Sequence, residues 1–113
     1  MSDIPRAPDG TKAAGRRLWR AVLSEFVLEE HELSLLRQAV ATADLCEQLQ
    51  DEVDEAGLLI GGRSNPALVE LRQQRILLAR LIVALRVPIG EADEGRTQRR
   101  AIRGVYGIQG VVS

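Results

Sequence analysis

Hydrophobic and polar positions between Asn65 and Pro88 predict one helix with both ends marked. Asn65 can cap the first free backbone N–H groups, and Pro66 suits the first helical position, where no N–H is needed. Pro88 cannot continue a helix and disfavours helical geometry at Val87. The first half of this helix is polar, whereas residues 76–85 are apolar nearly all the way round. Such a helix needs cover on several sides, so self-association is expected of so short a chain.

Two further helices are predicted upstream. The first covers about residues 11–26, where apolar residues recur at spacings of three and four. The second covers about residues 29–56 and ends at Gly57. It carries a narrow seam of mostly small residues, namely Leu35, Ala39, Thr42, Cys46, Leu49, Val53 and Ala56. A turn-rich connection over residues 57–64 then lets the third helix return beside the second. The predicted fold is all-α, a short N-terminal helix followed by a long antiparallel helical hairpin.

The two ends of the chain differ from this middle in composition. Residues 1–11 contain prolines and a glycine and are expected to be flexible. Residues 12–88 form the helical domain, expected to provide oligomerisation, and residues 89–113 are interpreted as a linker with a basic tail. The last ten residues combine β-branched side chains with glycines, which favours a partly extended tail.

Composition narrows the class of protein. With 113 residues, one domain is expected, and with aromatic residues at 3% the core must be built from Leu, Ala and Val, which favours packed helices. No apolar run follows a basic start, and the longest apolar stretch is far shorter than the ~20 residues of a membrane span, so we expect a cytoplasmic protein without a membrane partner. The single cysteine, Cys46, excludes an internal disulfide and is interpreted as a small core residue.

Charge is divided between the two long helices. Residues 29–57 hold nine acidic residues and one arginine, whereas residues 58–87 hold five arginines and one acidic residue. Opposite charges of this kind attract when the helices lie antiparallel or meet across subunits. Two interpretations stay open, because the charges are either simply solvated faces or a means of fixing how subunits pair.

Residues suited to catalysis are few. The only histidine, His31, is interpreted as an exposed residue at a helix start, and Gly61-Gly62 precedes no Gly-Lys-Ser/Thr sequence and so is not a phosphate loop. Asp51, Asp54 and Glu55 share a helix face and could bind a divalent cation, but a solvated acidic face explains them more simply. We therefore expect no enzymatic activity, no cofactor and no metal.

Contact with double-stranded DNA is the better candidate. Two clusters of basic residues contain no acidic residue among them, which suits phosphate contacts by arginine. The first is Lys12, Arg16, Arg17 and Arg20 in the first helix, and the second is Arg99, Arg100 and Arg103, preceded by Arg96, in the tail. A few arginines bind weakly, so many copies in one assembly would have to add their contacts. The alternative is a basic stripe and tail that only aid solubility.

The expected contact between copies lies on the third helix. A chain of this size is not expected to bury all the apolar side chains of this helix by itself. The predicted interface residues are Leu71, Leu78, Leu81, Ile82 and Leu85.

Several segments resemble the small subunit of tailed-bacteriophage terminase. The similarity lies in residues 14–22, AGRRLWRAV, in residues 32–36, ELSLL, and most strongly in residues 65–75, NPALVELRQQR, followed by Leu81 and LRVP at 85–88. The basic segment 96–101, RTQRRA, is also similar, so the resemblance covers about residues 10–103. Two features depart from the family. The second helix opens with Leu28-Glu29-Glu30-His31 where an Asp-Pro type of cap is frequent, and the connection 57–64 is shorter than in many relatives.

The resemblance implies a non-enzymatic function. Terminase small subunits are helical, assemble into rings, recognise viral DNA where packaging begins, and recruit and regulate the large subunit, which holds the ATPase and nuclease. The resemblance therefore implies three partners: double-stranded viral DNA, the large terminase subunit and further copies of this chain, all in the host cytoplasm. A helical structural adaptor or virion connector without nucleic-acid binding is the competing class. A third interpretation, a small DNA-binding regulator, predicts a dimer.

Overall fold

The computed structural model describes residues 4–86, which form three α-helices and one small β-hairpin. The elements are α1 (Ala13–Leu23), α2 (Glu30–Ala56), β1 (Leu59–Ile60), β2 (Arg63–Ser64) and α3 (Pro66–Leu85). The predicted all-α character is confirmed, apart from the two short strands. The predicted stop at Pro88 and the predicted linker and basic tail lie outside the described residues.

Both ends of α2 have local capping interactions. At its start, the Glu29 backbone N–H donates to Glu32 Oε1 at 2.8 Å, and the Glu29 side chain accepts from the Glu32 backbone in return. At its end, Gly57 adopts φ 92° and donates its N–H to the Val53 carbonyl at 2.7 Å. The predicted bounds are therefore correct to within one residue. Glu29 and Glu32 therefore cap the start of α2, where the sequence lacks the Asp-Pro type of cap that is frequent in terminase small subunits.

Asn65 fixes the start of α3, as predicted. Its Oδ1 accepts from the Ala67 N–H at 2.9 Å, and its Nδ2 donates to the Gly57 carbonyl at 2.8 Å. One buried side chain thus joins the end of α2 to the start of α3. α3 ends at Leu85, followed by Arg86 in the left-handed conformation with φ 61°.

The connection between α2 and α3 is a tight β-hairpin, where the sequence predicts only a turn-rich segment. Leu59 pairs with Ser64, and Ile60 pairs with Arg63. Gly61 and Gly62 form the turn with φ 59° and 79°, and two positive φ values in a row are what a two-residue hairpin loop of type I′ requires. The chain therefore reverses direction at once and returns along α2.

All three helices contribute to one hydrophobic cluster. α1 and the turn after it provide Trp19, Val22, Leu23, Phe26 and Leu28, whereas α2 provides Leu36 and Val40 and α3 provides Leu85. Trp19, Val22 and Phe26, which recur at spacings of three and four in the predicted first helix, are all buried. α1 itself is shorter than the predicted 11–26, because the chain leaves the helix after Leu23 while Phe26 stays buried.

A second cluster joins only α2 and α3. It contains Cys46, Leu49 and Val53 of α2 with Leu71 of α3. The beginning of α3 thus contacts the last part of α2, while its end contacts the first half. The interpretation of Cys46 as a small core residue is confirmed, since its side chain is buried in this cluster.

Residues 4–11 belong to the N-terminal segment that is expected to be flexible, and they make several contacts with the helices. The Trp19 indole Nε1–H donates to the Pro5 carbonyl at 2.8 Å, and Ile4 and Ala7 pack against the three-helix cluster. The Thr11 hydroxyl donates to the Pro8 carbonyl at 2.6 Å. This segment therefore lies on the core and leads directly into α1.

Candidate nucleic-acid interface and exposed apolar surface

The first basic cluster is exposed along α1. Lys12, Arg16, Arg17 and Arg20 all face solvent, whereas Gly15, Trp19 and Val22 of the same helix are buried. The Arg16 Nη1 group donates to the Thr11 carbonyl at 2.5 Å, which holds this side chain near the start of the helix. Lys12, Arg16 and Arg20 follow one another at intervals of four residues, so together they form one basic stripe.

A carboxylate from α2 caps α1. Asp44 Oδ2 accepts from the Lys12 backbone N–H at 2.7 Å, and Asp44 Oδ1 accepts from the Gly15 N–H at 2.6 Å. Lys12, at the N-cap position, makes no side-chain capping bond of its own. Asp44 therefore satisfies two of the free N–H groups of α1 and places a negative charge at the positive end of its dipole.

Gly15 allows α1 and α2 to approach closely. A Cβ atom at this position would lie 2.7 Å from Asp44 Oδ2 and 2.8 Å from Val40 Cγ1, closer than real contacts permit. Glycine is therefore needed for Asp44 to reach the helix end. The Asp44 bonds and this close approach together fix the position of α1, and hence of its arginines, on α2.

The fold also brings acidic residues to the basic stripe. In the sequence the cluster has no acidic neighbours, but in the structure Arg17 Nη2 lies 3.9 Å from Glu47 Oε1. Lys12 lines a shallow hollow together with Asp44, Glu47 and Asp51. Within residues 4–86, Arg16 and Arg20 form no such ion pair. Arg16 and Arg20 are therefore the two residues of this cluster that neither pair with a carboxylate nor line that hollow, a distinction that the sequence did not show.

The second predicted basic cluster belongs to the tail of the chain. Arg99, Arg100 and Arg103 lie outside the described residues.

The predicted interface residues lie mainly against α2 of the same chain. Leu71, Leu81 and Leu85 are 1%, 8% and 1% exposed, and Leu78 and Ile82 are half-buried. Leu71 and Leu85 are members of the two core clusters, and Leu78 packs against the second. These residues therefore build the core of the subunit, because they share the side of α3 that α2 covers. The large apolar residues exposed on α3 are instead Val69, Ile76, Leu77 and Val83.

His31, Asp51, Asp54 and Glu55 all lie on α2. His31 is exposed in the first turn of α2, and Asp51, Asp54 and Glu55 are exposed near its end. In the part of the chain that the structure describes, no group of three or more His, Cys, Asp or Glu residues is arranged to hold a metal ion. Across residues 4–86, none of the helices combines the length and the apolar character that crossing a bilayer requires.

Comparison with known proteins adds no relative. No family model matches the sequence, and neither the curated proteins nor the solved structures contain a significant match.

Proposed function

We propose that this chain is the small subunit of a tailed-bacteriophage terminase. In this proposal it is not an enzyme. It assembles into a homo-oligomeric ring in the host cytoplasm, binds double-stranded viral DNA where packaging begins, and recruits and regulates the large subunit that carries the ATPase and nuclease. The resemblance in the sequence motivates this proposal, and the exposed arginines of α1 support it.

The observation that carries DNA binding is the placement of Arg16 and Arg20. Both are exposed, both lie on a helix that is capped and packed in a fixed position, and they are one turn apart. A separation of four residues corresponds to about 6 Å along the helix axis, so the two guanidinium groups can contact one phosphate backbone together. Lys12 and Arg17 add charge that neighbouring carboxylates partly offset.

Assembly would compensate for the small number of contacts made by each subunit. Binding that depends on two to four basic groups is weak and sensitive to salt. A ring presents the α1 stripe many times, and the effective concentration of the remaining stripes rises once one is bound. Arg99, Arg100 and Arg103 of the tail are proposed as a second DNA contact.

Salt-dependent binding to duplex DNA tests the proposal. The double variant Arg16→Gln/Arg20→Gln should weaken binding and flatten the plot of log K against log salt by about 2 for each subunit engaged. The matched control, Arg63→Gln/Arg75→Gln, removes the same charge from exposed positions at or beyond the β-hairpin and should change binding much less. A third variant replaces Arg99, Arg100 and Arg103 by Gln. If both the α1 and the tail variants bind DNA as the unmodified chain does, DNA packaging is the wrong function.

One observation favours a second candidate. Glu47 and Asp51 lie beside the basic stripe and would repel a phosphate backbone that approaches α1 from that side. A helical structural adaptor or virion connector has no need of an uninterrupted basic surface. Such a protein would assemble as predicted but show no salt-dependent affinity for DNA, so the same titration separates the two candidates.

A further inference from the structure

α3 carries a second apolar stripe on the side away from α2. Val69, Ile76 and Val83 are seven residues apart, and their side chains are 46%, 54% and 70% exposed. We call these three residues the outer stripe. Arg72 and Arg80, both exposed, flank it. A repeat of seven places the stripe along one line of the helix, which is the pattern of a helix that packs against another helix.

Two copies of α3 are poor partners for each other. An antiparallel pair centred on Ile76 would bring Arg72 to the level of Arg80 of the partner subunit. A parallel pair would bring each arginine beside its own counterpart. Either arrangement places like charges at the same level of the contact, which is unfavourable and disfavours a two-fold interface between the stripes.

The outward side of α2 offers a complementary surface. Six exposed residues follow one another at alternating spacings of four and three, which defines the α2 outer seam as Ser34, Gln38, Ala41, Leu45, Gln48 and Glu52. Ala41 and Leu45 give the seam an apolar centre, and Leu45 is 37% exposed. Glu52 and the neighbouring Glu55 are exposed acids at its far end. The seam thus combines apolar contacts for the outer stripe with negative charge at one end, where it can meet Arg72 or Arg80.

We propose that the outer stripe of α3 packs on the α2 outer seam of a neighbouring copy. Each subunit then uses two different surfaces, so every added copy leaves one of each surface available. A contact of this kind closes into a ring when the rotation between neighbours permits. The inference extends the ring of the proposed function by naming the surfaces that form it.

Two variants that each damage one surface provide the test. Ile76→Asp places a charge in the outer stripe, and Leu45→Asp places one in the α2 outer seam. Both positions are solvent-exposed in the subunit, so the helical circular dichroism should be unchanged. Ala21→Asp, at an exposed position on α1, is the control and should assemble as the unmodified chain does.

Native mass in solution distinguishes the arrangements. Each variant alone should have the mass of one subunit, whereas an equal mixture should form a dimer, because the mixture retains one intact stripe and one intact seam. An interface between two α3 stripes predicts instead that Leu45→Asp alone still forms dimers, and that result would overturn the inference. A monomeric unmodified chain, or assembly that neither variant alters, would overturn it as well. DNA titration of the arginine variants tests the proposed function separately.

Discussion

The two helix contacts of α2 differ in kind. α1 is joined to α2 over a short length, by the Asp44 cap, the close approach at Gly15 and the packing of Trp19, Val22 and Leu23. α3 is joined to α2 by apolar residues distributed along its whole length, including Leu71 and Leu85. A single substitution is expected to disrupt most of a contact that is made at few points. It removes only part of a contact that is distributed along a helix. The following variants separate these two behaviours.

The largest effect is expected for Trp19→Ala. The indole is buried in the three-helix cluster and donates to the Pro5 carbonyl. Removing it should lower the free energy of unfolding by about 3–5 kcal/mol, because a large cavity and an unpaired carbonyl are left. Urea unfolding followed by circular dichroism measures the loss. Trp19→Phe keeps much of the apolar volume and should lose less, so an equal loss in both variants would show that the packing of the ring is unimportant.

Leu71→Ala tests the contact between α2 and α3. Leu71 is 1% exposed in the second cluster, so its truncation should lower the free energy of unfolding by about 2–5 kcal/mol. Val69→Ala, two residues earlier on the exposed side of the same helix, should change it by less than about 0.5 kcal/mol in the monomer. Thermal unfolding of both variants makes the comparison. Similar losses would contradict the assignment of the inner side of α3.

Asp44→Ala should have a smaller and more local effect. Two backbone N–H groups of α1 lose their acceptor, so a loss of about 1–2 kcal/mol is expected. Hydrogen exchange should show faster exchange at the start of α1 than in α3. The control is Glu47→Gln, which removes an exposed charge 3.9 Å from Arg17 and should change stability by less than about 0.5 kcal/mol. Uniform exchange changes across all helices would argue against a local role.

The smallest effect concerns pH and Cys46. Burial raises the pKa of the Cys46 thiol above its ordinary value of 9.0, and the charge of Arg75 opposes the shift in part. Because the thiol ionises more easily in the unfolded chain, its contribution to stability is complete below pH 9.0 and falls as the pH rises above it. The difference in unfolding free energy between the unmodified chain and Cys46→Ala should therefore decrease in alkaline solution. A difference independent of pH would contradict this.

Sequence reasoning succeeded where the cause is local. The end of α2 and the start of α3 follow from Gly57, Asn65 and Pro66, whose effects act within one helical turn. The β-hairpin also had a local signal, since Gly61-Gly62 follows two apolar residues, but it was interpreted only as a turn.

Sequence reasoning failed where the cause is distant. Asp44 lies 29 and 32 residues from the N–H groups that it caps, so no pattern in α1 reveals it. The nearness of Glu47 to Arg17 was missed for the same reason. On α3, apolar residues surround much of the helix, and periodicity alone could not tell which of them would meet α2. Leu71, Leu81 and Leu85, which the sequence predicts to contact other copies, are buried within the subunit.

The Asp44 cap has a consequence for how α1 would meet a ligand. At 11 residues, α1 is too short to be a stable helix by itself, and it has no acidic residue in its first turn. Its helical form therefore depends on its position on α2. Arg16 and Arg20 are held at helical spacing before any phosphate arrives, so less backbone entropy is lost on binding than in a disordered basic segment. The Asp44 carboxylate lowers the net charge of the α1 surface by one unit, and it also preorganises that surface.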